Sequence, residues 1–273
     1  DEEERNAFGM RTVFRLIYRV SDAIITHTRG DREELIRDFG LRPDKITAIP
    51  HGNFDFLTAM SGISGDEVRR RFGIGEEESL ILAFGAIRRY KGLHLLIEAF
   101  ADIADRHRKA RILIVGNRTD PGSADELEQM IADRGLGDRV GFHGEYIGTE
   151  DLAGYLEAAD CVALPYEHIY DSGVLRLSLS TARPVLATRV GVFAEIIRDG
   201  EHGYLVEPTV AGLAAGLSRV LDTTRTDLAA MGAAARKAFE EEHSWPRIAA
   251  ETAGIYRRLP PTGPAGTDDG TDR

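Results

Sequence analysis

Four short segments hold residues whose types and spacing suit a phosphorylated ligand. In Gly85-Ala86-Ile87-Arg88-Arg89-Tyr90-Lys91-Gly92, the cations Arg88, Arg89 and Lys91 fall between an apolar run ending at Phe84 and a helical pattern beginning at Leu93. A helix start attracts anions through its free N–H groups and its dipole. Arginine grips two phosphate oxygens at once and lysine acts as a compact point charge. This turn therefore has the chemistry of a diphosphate site, although a solvated basic turn would carry the same residues. In Tyr170-Asp171-Ser172-Gly173-Val174-Leu175, Ser172 has the character of a helix N-cap and Gly173 lets a ligand approach the backbone. Gly116-Asn117, closing another apolar run, permits the same close approach. Gly144-Glu145-Tyr146-Ile147 offers backbone groups that suit a nucleobase. Each segment alone reads equally well as an ordinary turn. Their placement after successive apolar runs is what points to phosphate plus nucleoside.

Apolar runs at 80–85, 110–116, 140–143, 160–165, 184–188 and 203–206 alternate with amphipathic helical patterns at 93–107, 124–134, 150–158, 174–181, 193–198 and 210–221. That alternation predicts an α/β fold: a Rossmann-like parallel sheet with helices on both faces. Such sheets bind ligands outside the carboxyl ends of their strands, where the four segments lie. Residues 1–52 read α-β-α-β, too little for a domain, and are expected to be the remnant of a preceding one. Residues 53–78 are expected to be a linker, 79–245 the ligand-binding domain and 246–260 a C-terminal helix. The tail 261–273, rich in Pro, Gly and Asp, is expected to be disordered.

The 273 residues are 42% hydrophobic and 29% charged, a balance that can bury a sizeable core. The net charge of −11 argues against nucleic acid or an anionic membrane as main partner, since both need basic patches. It leaves room for a local cationic site. The single cysteine, Cys161, excludes an internal disulfide and favours a reducing, cytoplasmic setting. No apolar run approaches the ~20 residues of a membrane span. The acidic start has no secretory-signal character, and its lack of Met suggests a trimmed chain. No Gly-x-Gly-x-x-Gly follows the first strand of the 79–245 domain, which disfavours NAD. There is no Walker loop, no His/Cys/carboxylate set at metal spacing and no Gly-x-Ser-x-Gly elbow. Neither a cofactor nor a metal is expected.

In order along the chain, Ser21-Asp22-Ala23-Ile24-Ile25-Thr26, Ile49-Pro50-His51-Gly52, Gly85-x-x-Arg88-x-Tyr90-Lys91-Gly92-Leu93, Leu164-Pro165-Tyr166, Ser172-Gly173-Val174-Leu175, Arg183-Pro184-Val185-Leu186-Ala187-Thr188 and Gly203-Tyr204-Leu205-Val206 resemble the retaining glycosyltransferases of family 4, which have the GT-B fold. The resemblance covers roughly residues 20–257. It implies the C-terminal half of a GT-B fold, binding a nucleoside-diphosphate sugar whose sugar passes to an acceptor hydroxyl with retained anomeric configuration. It also implies that the N-terminal acceptor domain is missing. Arg88 and Lys91 would hold the diphosphate. Ser172, Gly173, Val174 and Leu175 would offer hydroxyl or backbone groups to it, and Tyr146 and Ile147 would line the base pocket.

Two departures stand out. The family's arginine more often lies five residues before the lysine, where this chain has Ala86. Many relatives also carry two glutamates around the Ser172 loop; the corresponding positions here are Leu177 and, near the other, Ile169. Glu167 or Asp171 could stand in for the earlier one, near Ile169; the later one, at Leu177, has no obvious substitute. A nucleotide-sugar epimerase of the same architecture and a non-catalytic nucleotide-sugar-binding module remain as alternatives.

Overall fold

The computed structural model describes residues 2–60 and 62–259, so the tail expected at 261–273 lies outside the described residues. Contacts divide the chain into two units. The smaller begins with α1 (Glu2–Val20), β1 (Ile24–Thr26), α2 (Arg29–Phe39) and β2 (Ile46–Ala48). β1 and β2 pair in parallel. Thr28 caps α2 by accepting the Asp31 N–H at 2.9 Å, and Gly40 closes it in the left-handed conformation.

The larger unit, Gly52–Ser244, holds α3 (Gly65–Arg71), β3 (Ser79–Phe84), α4 (Leu93–Ile103), β4 (Ala110–Val115), α5 (Pro121–Asp133), β5 (Val140–His143), α6 (Leu152–Ala158), β6 (Cys161–Leu164), α7 (Gly173–Ser180), β7 (Val185–Thr188), α8 (Gly191–Ile196), β8 (Gly203–Val206), α9 (Val210–Asp222) and α10 (Arg225–His243). The last helix, α11 (Trp245–Tyr256), belongs to the smaller unit, where the Trp245 ring meets His51 edge to face at 5.9 Å.

The six strands of the larger unit form one parallel sheet in the order β5-β4-β3-β6-β7-β8, as the α/β alternation predicts. Side chains of a strand point alternately to its two faces, and both faces here are covered. Leu80 and Leu82 of β3, Leu113 and Val115 of β4, and Val162 and Leu164 of β6 enter one core. Ile81 and Ala83, Ile112 and Ile114, and Cys161 and Ala163 enter the other. α4 closes the second core with Leu93, Leu96, Ile97 and Phe100, one stripe at helical spacing. It ends at Ile103, short of the expected 107, where the chain turns back through Arg106 N–H to Ile103 O.

The stretch 53–78 is not a linker. Leu57, Val68 and Ile74 are buried in the first core, and Ser64 caps α3 through the Glu67 N–H. Asp160 fastens this segment to the sheet. Its Oδ2 accepts from Leu80 N–H at 2.7 Å and from Arg69 at 3.0 Å, while Oδ1 pairs with Arg225 at 3.0 Å. Three apolar anchors spaced this widely give no periodic signal, which is why the sequence alone suggested a linker. Among the described residues, no helix is long and apolar enough to cross a membrane.

Candidate functional site

The strand order reverses between β3 and β6, and the crevice at such a switch point is where open α/β sheets take ligands. The loops after β3, β4 and β6 are laced together there. Ile87 N–H donates to Asn117 O at 2.9 Å and Thr119 Oγ1 to Ile87 O at 3.0 Å, joining 85–92 to 116–119. Glu167 N–H donates to Tyr90 O at 2.8 Å, joining 85–92 to the loop after β6. Two glycines permit the closeness. Gly92 has φ 62 and Gly116 φ 153, and a Cβ on them would run into Pro165 O and Gly85 O respectively.

Lys91 ends a 3-10 turn, Arg89–Lys91, and is 7% exposed. Among the described residues it has no carboxylate partner; its Nζ stands 5.4 Å from the Tyr166 ring centre. Burial, helped by the nearby Arg88 charge, lowers its pKa to about 8. A Cβ built on Gly85 would lie 2.6 Å from Lys91 Nζ and 3.2 Å from Val174 Cγ2, in the first turn of α7. The cation and the helix start therefore share one side of Gly85. Ser172 caps α7 and is buried; its Oγ accepts the Leu175 N–H at 3.2 Å. The space beside Gly173 is open, since a Cβ there would meet nothing within 4 Å. A buried cation and helix-start amides bind anions strongly because little water competes.

The remaining expected residues divide. Gly85, Lys91, Ser172, Gly173 and Val174 come together. Leu175 does not offer its amide, which the Ser172 cap consumes, and its side chain is in the core. Arg88 is exposed and lines a small depression toward α5 with Arg89, His94 and Glu126. Glu167, 41% exposed, stands 3.8 Å from His94. Asn117 is exposed at the end of β4, and its carbonyl holds Ile87 in place. Tyr146 is 73% exposed, whereas Ile147 is largely buried against the first core. An apolar residue following an exposed aromatic is how a loop is pinned to a core. Asp171 accepts the Ser172 N–H at 2.7 Å and pairs with Arg176. Neither Arg176 nor Tyr166 was expected as a site residue, although Tyr166 closes the Leu164-Pro165-Tyr166 segment. The one signal for Arg176 was a charge inside the apolar helical run 174–179.

A two-sided parallel sheet with a crevice at its switch point places the larger unit among the doubly wound α/β domains. Within that class, the family described as "Glycosyl transferases group 1" matches residues 64–238, and the chain belongs to it. The chain is 30% identical over 249 residues to D-inositol 3-phosphate glycosyltransferase of Streptomyces scabiei, covering 88% of this chain and 54% of that protein. It spans little more than half the length of the curated relatives it matches. Sucrose-phosphate synthase from Thermosynechococcus elongatus superposes with a TM-score of 0.77 at 25% identity, over 91% of this chain and 61% of that one. HepE from Anabaena, solved in complex with UDP and glucose, superposes with a TM-score of 0.80 at 20% identity, over 95% and 69%. The six-stranded unit is thus the Rossmann-like sheet of GT-B glycosyltransferases.

Proposed function

We propose that this chain holds a nucleoside-diphosphate sugar by its diphosphate and supplies the donor-binding half of a glycosyltransferase, which moves the sugar to an acceptor hydroxyl with retained anomeric configuration. The observation that carries this reading is the sharing of one side of Gly85 by Lys91 Nζ and Val174. Lys91 and the amides of Gly173 and Val174 would stabilise the charge that builds on the leaving diphosphate. Arg88, close enough to depress the Lys91 pKa, is the second cation. The departing phosphate oxygen takes the acceptor proton on the same face, so no protein base is needed. Tyr146, an exposed aromatic at the end of β5, is the residue proposed to meet the base. The solved complex of HepE with UDP and glucose makes UDP the first probe.

The test is calorimetric titration with UDP, GDP and ADP. Lys91→Ala removes a charge-assisted bond and is expected to cost about 1.5–3 kcal/mol of binding, roughly ten- to a hundredfold in Kd. Unchanged affinity would overturn the reading. A non-catalytic binding module draws support from Leu177, buried in the core where the family resemblance implies a carboxylate. Transfer assays with a bound donor separate the two.

A further inference from the structure

We propose that a cleft at the amino-terminal edge of the six-stranded sheet, opposite the diphosphate crevice, is a second binding site, for a small oxyanion with neighbouring hydroxyls; this is independent of the donor reading. The cleft offers about 390 Å³, the size of a small-ligand pocket. Its walls include Arg183, Arg236, Glu157, Ser64, Ile63 and Ala153, all of the larger unit. Arg183 stands two residues before β7 and bonds Ala159, two residues before β6. The four residues of β6, at about 3.3 Å each, put about 13 Å between this edge and the loop that carries Ser172.

Arg183 carries the assignment. Its Nη1 donates to the Ala159 carbonyl at 3.2 Å, and its Nε is buried without a partner. The carboxylates around it are engaged elsewhere. Asp160 pairs with Arg69 and Arg225, and Glu157 Oε2 accepts the Gly65 N–H at 2.9 Å. Burial lowers the Arg183 pKa, and the charges of Glu157 and Asp160 oppose that only in part. A part-buried guanidinium with most of its five N–H groups unmet is costly. An oxyanion entering the cleft would meet the Nη2 and Nε edge and offset that cost.

The walls are fixed and narrow the ligand further. Ile63 N–H donates to Asp151 Oδ1 at 3.0 Å, and a Cβ on Gly154 of α6 would strike the Ile63 carbonyl, so the loop before α3 is held against α6. Ser64 Oγ accepts the Glu67 N–H and keeps its own proton for an oxyanion. Arg236, held by Glu240 at 2.5 Å, adds a second cation. Glu157 Oε1 has no partner among the described residues. A carboxylate accepts from hydroxyls and repels a bare polyanion. The chemistry that satisfies Arg183 and Glu157 together is an oxyanion on a hydroxylated body, as in a sugar phosphate or a polyhydroxy acid.

The test is calorimetric titration of the full chain with glucose 6-phosphate, gluconate and inorganic phosphate. Glucose 6-phosphate or gluconate is expected to bind with a Kd below about 1 mM, more tightly than inorganic phosphate, which lacks the hydroxyls. The stronger of the two tells phosphate from carboxylate as the preferred oxyanion. Arg183→Met is expected to weaken binding about ten- to a hundredfold, with thermal unfolding to check that the chain still folds. Ala153→Phe fills the cleft from α6, leaves Arg183 in place and is expected to abolish binding; it decides the matter if Arg183→Met does not fold. Lys91→Ala, in the opposite crevice, is expected to leave binding unchanged. The proposal is overturned if neither hydroxylated anion binds, if inorganic phosphate binds as tightly as both, or if binding survives the folded variants of Arg183 and Ala153. Loss with Lys91→Ala alone would put the anion in the diphosphate crevice and overturn it as well.

Discussion

Lys91 carries two consequences of opposite sign. In the unfolded chain its ammonium keeps a proton up to about pH 10.5, whereas in the folded chain it gives it up near 8. Between those values the unfolded state binds more protons, so this group's contribution to stability rises with pH; below about 8 the full cost of burying the charge is paid. That cost is about 3 kcal/mol. Lys91→Met should therefore be more stable than the parent at pH 7 in urea unfolding, with the gap narrowing toward pH 10.5; a gap independent of pH would disprove the shift. Ligand binding works the other way, because an anion beside Lys91 restores the proton. At pH 8.5, UDP binding is expected to take up protons, measured by calorimetry in buffers of different ionisation enthalpy, and Lys91→Met should abolish the uptake. Lys91 was legible in the sequence because charge at the end of an apolar run is conspicuous. Its burial against Tyr166 was not, since that contact joins residues far apart in the chain. Arg176 was hidden for the same reason: its meaning lies in Asp171, Ser172 and the packing around them.

At the level of elements, the strands and their order of appearance could be read from alternation, and the start of α7 from the Ser172 cap. What alternation does not report is how a helix stops. α7 closes with Arg183 N–H to Ser178 O at 2.8 Å and Ala182 N–H to Leu179 O at 3.1 Å, the paired bonds of a Schellman end. That motif places its penultimate residue in the left-handed region, and Ala182 sits there with φ 55, alone among the described non-glycine residues. The turn has little room to relax, because Gly232 of α10 lies so close that a Cβ on it would strike the Ala182 carbonyl. A left-handed residue with a Cβ costs about 1–2 kcal/mol, and glycine loses about 0.5–1 kcal/mol more backbone entropy on folding. Ala182→Gly is thus expected to stabilise by about 0.5–1 kcal/mol, raising Tm by roughly 1–4 °C. A lower Tm on thermal unfolding would mean that the alanine methyl makes contacts worth more than its strain.

At the scale of the whole molecule, everything that builds the proposed diphosphate cradle lies in one contiguous stretch. Both cores draw all their buried members from residues 57–239, on the two faces of a single sheet. Asp160 ties α3 and α10, near the two ends of that stretch, to the start of β3. A chain cut to 52–244 is therefore expected to unfold in one cooperative transition and to keep its response to a nucleoside diphosphate. For a ligand at a hundredfold excess over Kd that response is about 2.7 kcal/mol, or several degrees of Tm for a domain of this size. The cut leaves α11 and the first strands behind but removes no member of either core. If the shortened chain folded and its Tm ignored UDP, GDP and ADP while the full chain responded to one of them, the larger unit would not make the site by itself. If it failed to fold at all, the two cores would depend on segments that contribute no buried residue to them, and the division into two units would have no energetic meaning.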